Sequence, residues 1–459
     1  MRRHPIACAL AAGALMAAAP VHAMTLAEAF EAARLHDPQY RVAVHDLESS
    51  RQGVPIARAG LLPQVSLSYS NLGVSGTREF PNSLQQEVTT RVEYSSPQTS
   101  LSLRMPLFNY DAWSRLDQAT AQGRGAEAAF RARGLDLVER VVIAYLQMLQ
   151  ARSQQSLAET DVGALTEQLR RAEQRFRRGE GTRTDEALAM SALETSRARL
   201  SDARELVDVA MARLKRLTGR QPVFALDTPT AFVPPRSQPA DVRDWIEKAL
   251  VQNPVLEVRQ AAVDAARFGV RRNQSGHLPR LDLVGSVARA RNDSLNNLDQ
   301  TSFLRSVGIQ LTVPLYSGGG VEASVRQAQA ELSRAEEELR GERENSELEI
   351  VRQLQMADSA AQRADAMVRA VAAGEVALTG ATRSQAAGQA TLTEVLEARS
   401  RLQASRRDLA QAQYDHLAAR MRMMLQAGEP MQRVIDQLDA LLSQRIELPP
   451  TPTTAVPRS

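Results

Sequence analysis

Val307-Gly308-Ile309-Gln310-Leu311-Thr312-Val313-Pro314-Leu315-Tyr316-Ser317-Gly318-Gly319-Gly320 carries the decisive pattern. Apolar side chains stand at 307, 309, 311 and 313, with Gly308, Gln310 and Thr312 between them. A period of two gives a strand one apolar and one polar face. Pro314 ends the pattern, and three glycines let the chain turn tightly into a helical stretch from 318 to about 385. The same order occurs earlier. Leu101, Leu103 and Met105 share one face of Thr99 to Met105. Pro106-Leu107-Phe108-Asn109 closes it, and residues 111–177 follow as a helix interrupted only by sporadic glycines. Leu135, Val138, Val142, Tyr145, Leu146 and Leu149 keep its three-four spacing.

Working outward, the whole chain reads as two copies of one plan. Asp37-Pro38 and Leu62-Pro63 return as Asn253-Pro254 and Leu278-Pro279, both pairs at the same offset. Pro106 returns as Pro314, and Gly179 with Thr184-Asp185 returns as Gly388 with Thr393-Glu394, at slightly smaller offsets. Fixed periods of this kind mark duplicated architecture. The first repeat is expected over 24–221: a helix at 25–59, a β-hairpin over 64–105, the long helix at 111–177, and a shorter helix at 183–218 opening near Thr184-Asp185. The second is expected over 241–428: a helix, a hairpin over 281–313, a long helix at 318–385 and a shorter one at 391–427. A proline-rich crossover, 222–240, joins them, and 429–459 is expected as a tail.

The strands are expected to be about eight to twelve residues long, the length of a tilted membrane strand. Val65, Leu67 and Tyr69, and then Leu281, Leu283 and Val287, add to the apolar face. Leu101, Leu103, Ile309 and Leu311 are the expected lipid-facing residues, and the Ser, Gln and Thr opposite suit a wet lumen. Four strands cannot close a barrel, and open edges cannot sit in lipid. Two copies would give 8 strands with an interior largely filled by side chains, and three would give 12 with an opening. Each long helix spans on the order of 100 Å at 1.5 Å per residue. Two shorter helices end to end match one long one, so three chains supply twelve rods. The expected fold is an α/β membrane protein: a trimeric 12-stranded β-barrel continuous with a 12-helix periplasmic α-barrel, four strands per chain.

Composition narrows the function. Aromatic residues are 4%, too few for several enzyme cores, and 56 basic against 53 acidic residues leave a net charge of +3, too small to suggest nucleic acid. Residues 1–23 read as a secretory signal: Arg2 and Arg3, the apolar run Ile6 to Ala19, and Val21-His22-Ala23 before the cut. The sole cysteine, Cys8, lies inside that segment, so no lipidated first residue, disulfide or thiolate metal site is expected in the mature chain. His36, His45, His277 and His416 share no ligand spacing, and Gly318-Gly319-Gly320 lacks the Lys and Ser/Thr of a phosphate loop. No enzyme, cofactor or dedicated metal is expected.

As a set, the paired landmarks Pro38, Pro63, Pro106, Gly179, Pro254, Pro279, Pro314 and Gly388, with Phe176-Arg177-Arg178-Gly179 and Thr393-Glu394-Val395-Leu396-Glu397-Ala398 at the helix turns, resemble the TolC-like family of outer-membrane exit ducts over nearly the whole mature chain. The resemblance implies a homotrimer crossing the outer membrane of a Gram-negative bacterium, with most of its mass in the periplasm. Its partners would be a periplasmic adaptor protein, an inner-membrane transporter and outer-membrane lipid. The unlipidated start and the Pro-Leu-Tyr-Ser-Gly-Gly pattern are more similar to the branch serving ABC-driven type I protein secretion than to multidrug efflux. That second branch, driven by a proton-coupled pump, is the alternative; a periplasmic coiled-coil adaptor should show a single hairpin instead. The family's tunnel constriction falls on Glu394 and Glu397, with Asp185, Thr184 and Arg183 at the matching turn. The family's arginine four residues before the first acid is Ala390 here, so the closed state needs another tie, such as Arg183 or Arg399 with Asp185.

Overall fold

The computed structural model describes residues 24–81, 85–221, 242–294 and 297–443. The expected signal, 1–23, and the crossover, 222–240, lie outside them. The elements run α1 (Leu26–His36), α2 (Pro38–Arg51), α3 (Gly53–Ala59), β1 (Gln64–Pro81), β2 (Glu87–Phe108), α4 (Tyr110–Arg177) and α5 (Arg183–Thr218). They continue α6 (Val242–Gln252), α7 (Pro254–Gln274), β3 (Arg280–Ser294), β4 (Asn297–Thr312), α8 (Gly320–Ala386), α9 (Leu392–Gln426) and α10 (Met431–Ser443). The chain divides into two compact units. One takes the described parts of 1–41, 134–249 and 348–459, and the other takes 42–133 and 250–347. Among the described residues no helix is long and apolar enough to cross a membrane.

The first unit is all helix. Its core joins Leu26 and Phe30 of α1, Leu137, Val138 and Val141 of α4, Leu214 of α5, Trp245 of α6, Ile350 of α8, Met421 of α9 and Ile435 of α10. The described part of the segment expected as a tail, 429–443, joins this core: Val434, Ile435 and Leu438 of α10 are at most 1% exposed. Three residues spaced one, three and four apart form one apolar stripe, which docks instead of dangling. Asp439 Oδ1 accepts from the Leu26 N–H at 3.2 Å, so α10 also caps the start of α1. Gly134 is where α10 meets α4, since a Cβ there would sit 2.7 Å from Met431 Sδ.

The helix expected as unbroken over 25–59 is cut into three. Pro38 has no N–H to donate and sits at the start of α2, while Asp37 stays extended at φ −62°, ψ 120°. Asp37 Oδ2 accepts from the Tyr40 N–H at 3.1 Å and from Arg140 Nη2 at 2.7 Å. Burial works to raise this carboxyl's pKa, but the Arg140 bond, the Tyr40 bond and the arginine's charge outweigh it and hold it below the ordinary aspartate value.

The second unit holds the sheet, ordered β1-β2-β3-β4 and antiparallel throughout. The strands overrun the expected length, at 18, 22, 15 and 16 residues. Alternation records only where one face is apolar. The backbone ladder needs no such face, so β1 and β2 stay paired past the apolar rows, out to Pro81 opposite Glu87. In the helical part of this unit Asn253 caps α7, its Oδ1 accepting from Val255 N–H at 2.9 Å, with Pro254 at the first helical position. Gly125 lets α4 approach α7, since a Cβ would come within 3.1 Å of Ala261 Cβ.

Candidate functional site

Two regions carry the candidate residues: the faces of the sheet, and the turns that separate long from shorter helices.

Paired strands put odd-numbered residues on one face. Its rows read Leu281–Leu311, Met105–Leu283–Ile309, Val65–Leu103–Gly285–Val307 and Leu67–Leu101–Val287–Arg305. A register shift between Pro106 and Phe108 sets Phe108 opposite Leu281, so an aromatic joins the first row. Tyr69, Thr99, Arg289 and Phe303 form the row that ends the band. From Leu281 to Arg289 that is about 27 Å along the strand, or roughly 20 Å of height at a tilt of 35–45°. Val307, Ile309 and Leu311 are 62–81% exposed, an apolar face with no cover in the isolated chain. The even-numbered face is mainly polar, with Val284 and Leu304 among its apolar exceptions. Ser66, Ser102, Ser286 and Ser306 form one row across all four strands, with Oγ–Oγ distances of 2.6 Å and 2.8 Å in its two outer pairs. Asp282 lies on the same face, 3.3 Å from Arg280 and 4.0 Å from Arg104.

The two turns are built alike. Gly179 and Gly388 both adopt φ 75°, the left-handed conformation that ends a helix without a Cβ clash. Glu180 N–H donates to Arg175 O at 2.8 Å, and Gln389 N–H to Ser384 O at 2.9 Å, the same backward bond in each. The shorter helices begin at Arg183 and Leu392, one residue before Thr184-Asp185 and Thr393-Glu394, because Thr182 and Thr391 are the capping residues. Asp185 and Glu394 close reciprocal capping boxes: Asp185 N–H donates to Thr182 Oγ1 at 3.1 Å and Thr182 N–H to Asp185 Oδ2 at 3.2 Å, and the matching Glu394 and Thr391 bonds are 3.3 Å and 3.4 Å. Glu397, one turn on, accepts from Arg401 at 3.2 Å, with both side chains exposed.

Neither expected tie to Asp185 forms. Arg183 makes no ion pair among the described residues. Arg399 instead faces Asp161 of α4 at 3.8 Å, and Asp161 Oδ2 accepts from Ser196 Oγ of α5 at 2.9 Å. Burial, opposed by Asp161 and helped by Arg406, draws the Arg399 pKa below its ordinary value. Asp185 was the nearest acid by motif. Asp161 is the acid that the packing of α4, α5 and α9 presents, and no local spacing announces it.

The sequence reading passed over Arg171 and Arg175, and named Arg178 only as a landmark of the turn. With Asp185, Gln385, Ala390 and Thr391 they line a groove of about 620 Å³ beside the turns. Their four- and three-residue spacing on one helix face was the available signal. Thr184 is exposed at the start of α5. His416, passed over as a ligand, is buried, with Nδ1 at 2.9 Å from Ala357 O.

With this geometry established, comparisons place the chain. The model of the outer membrane efflux protein family matches residues 29–220 and 245–429. The proteases secretion protein PrtF of Dickeya chrysanthemi is 31% identical over 91% of this chain and 91% of its own length. The alkaline protease secretion protein AprF of Pseudomonas aeruginosa is 31% identical over 91% of this chain and 86% of its own. Among solved structures, the Vibrio cholerae outer membrane protein VceC superposes with a TM-score of 0.74 at 19% identity, covering 88% of this chain and 96% of that one.

Proposed function

The chain belongs to the outer membrane efflux protein family, and from that premise we propose that it is the outer-membrane exit duct of an ABC transporter-driven type I secretion system. The observation that carries this reading is the 31% identity, sustained over 91% of the chain, to two proteins named for protease secretion. The family is one of export ducts, so the chain's task is passage rather than catalysis.

The edges of the sheet support a closed assembly. β1 and β4 are both edges, each with one unpaired row of backbone donors and acceptors. Pairing β4 of one copy with β1 of the next satisfies both, and three copies close twelve strands around an opening. The odd-numbered face, including Leu101, Leu103, Ile309 and Leu311, then meets lipid, and the serine rows meet water. The duplicated plan supplies twelve rods of helix below the barrel. The turns at Gly179 and Gly388 mark the periplasmic mouth, where Glu394 and Glu397, repeated by threefold symmetry, give two rings of three carboxylates. A periplasmic adaptor and an inner-membrane ABC transporter complete the path. The segment 1–23 directs export and is removed without lipidation. The family's own description favours small-molecule efflux as the second reading.

Cross-linking in cells, followed by outer-membrane fractionation, tests the assembly. A trimer in the outer-membrane fraction is expected, and a monomer in mild detergent with no cross-linked trimer would refute it.

A further inference from the structure

The upper edge of the apolar band is chemically unlike the rows beneath it. Its last row holds Arg289 between Thr99 and Phe303, and the row below ends in Arg305. These two rows contain two arginines and no carboxylate. The Arg305 guanidinium does not stay in its own row. It lies over the Phe303 ring at 4.9 Å, leaning toward the row of Arg289. Arg289 and Arg305 are diagonal neighbours on one face, which places their stems about 7–8 Å apart. Two guanidinium groups reaching from neighbouring positions on one face attract an anionic head group, and their planar forks match phosphate oxygens.

Directly below is a hollow. Gly285 leaves its row without a side chain, and Val65, Leu101, Leu103, Val287 and Val307 wall a depression of about 410 Å³ with Arg305 on its rim. The backbone does not demand glycine here. A Cβ would meet only Ser306 O at 3.6 Å and Leu103 Cβ at 3.8 Å, both ordinary contacts. An apolar slot under a cationic pair is the complement of an amphiphile with an anionic head.

Resting on the assignment of the odd-numbered face to lipid, we propose that Arg289, Arg305 and the Gly285 hollow form a subsite for a phosphomonoester lipid. Its phosphate lies between the two guanidinium groups and one acyl chain lies in the hollow. Arginines that merely reach water from the band's edge would attract any anionic head group and show no preference for a phosphomonoester over a phosphodiester.

The test is native mass spectrometry of the full-length assembly in detergent supplied with equal amounts of phosphatidic acid and phosphatidylglycerol. The wild type should retain phosphatidic acid on the order of five- to ten-fold over phosphatidylglycerol. Arg289→Gln with Arg305→Gln should bring the two lipids to parity. Gly285→Val, with both arginines intact, should lower phosphatidic acid retention several-fold. Parity in a wild-type protein recovered from the outer membrane, or an unchanged preference in the double variant, overturns the subsite and leaves the membrane face standing. Absence of the wild type from the outer-membrane fraction overturns both.

Discussion

Arg399 Nη1 stands 3.8 Å from Asp161 Oδ1, and this contact, with the Ser196 hydroxyl on the other carboxylate oxygen, joins α9 to α4 and α5. Both charges are largely shielded, at 21% and 12% side-chain exposure. Removing the arginine leaves a buried carboxylate with one hydroxyl. Arg399→Ala should cost about 2 kcal/mol, below the usual range for a buried pair because the contact is long. If the turns form the mouth, it should also raise the resting current of reconstituted trimers. Denaturation midpoints and planar-bilayer recordings check both. A variant with unchanged stability and current would reduce the pair to an incidental contact.

At the mouth itself, Glu394→Gln with Glu397→Gln isolates charge from structure. Glutamine still closes a capping box, so the start of α9 should hold. Six carboxylates around one axis attract divalent cations, and neutralising them should weaken cation block of the current several-fold. Unchanged block in bilayer recordings would return both residues to ordinary helix-surface charges.

The two faces of the sheet should respond oppositely to charge. Leu103→Arg or Leu311→Arg places arginine in the apolar rows, at about 2 to 4 kcal/mol each near the bilayer midplane. Assembled protein in the membrane fraction should fall. Ser102→Arg and Gln310→Arg, one position away on the polar face, should be tolerated. Equal tolerance on an immunoblot would contradict the assignment of faces.

Asp37 gives the helical core a pH dependence of known sign. Its folded pKa is depressed, so its contribution is fully present above the unfolded value of about 3.9 and is lost as pH falls through the folded value. Asp37→Asn should flatten the loss of stability below about pH 4. It should also lower stability near neutrality, because Arg140 loses the carboxylate it meets at 2.7 Å. Denaturation series at pH 3 and pH 7 measure the difference.

The last helix carries weight out of proportion to its place in the chain. Ile435 is fully buried, and Ile435→Ala should cost about 3 kcal/mol. Truncation after Gly428 should leave an aggregated or degraded product. A truncated protein with wild-type melting behaviour would show that α10 is dispensable.

Most of the plan was legible because it rests on local signals. Pro38 and Pro254 break helices wherever they stand, Gly179 and Gly388 supply the left-handed turn, and alternation names the faces of the strands. Three features were not read. The strands overran because Ser, Gly and Thr can continue a ladder without advertising it. Arg399 found Asp161 because α4, α5 and α9 pack together, a long-range fact invisible to spacing. The α10 stripe of Val434, Ile435, Leu438, Leu441 and Leu442 had the right period. Its place beyond the second repeat made it look like a tail.

The central claim is passage of polypeptide, and one comparison measures it most directly. In cells lacking this chain, with and without a plasmid-borne copy, the secreted proteins of the medium are compared with the susceptibility of the cells to toxic small molecules. The account predicts that at least one polypeptide disappears from the medium, stays with the cells and returns with the plasmid, while susceptibility is unchanged. An unaltered medium together with heightened susceptibility would contradict it and assign the duct to small-molecule efflux.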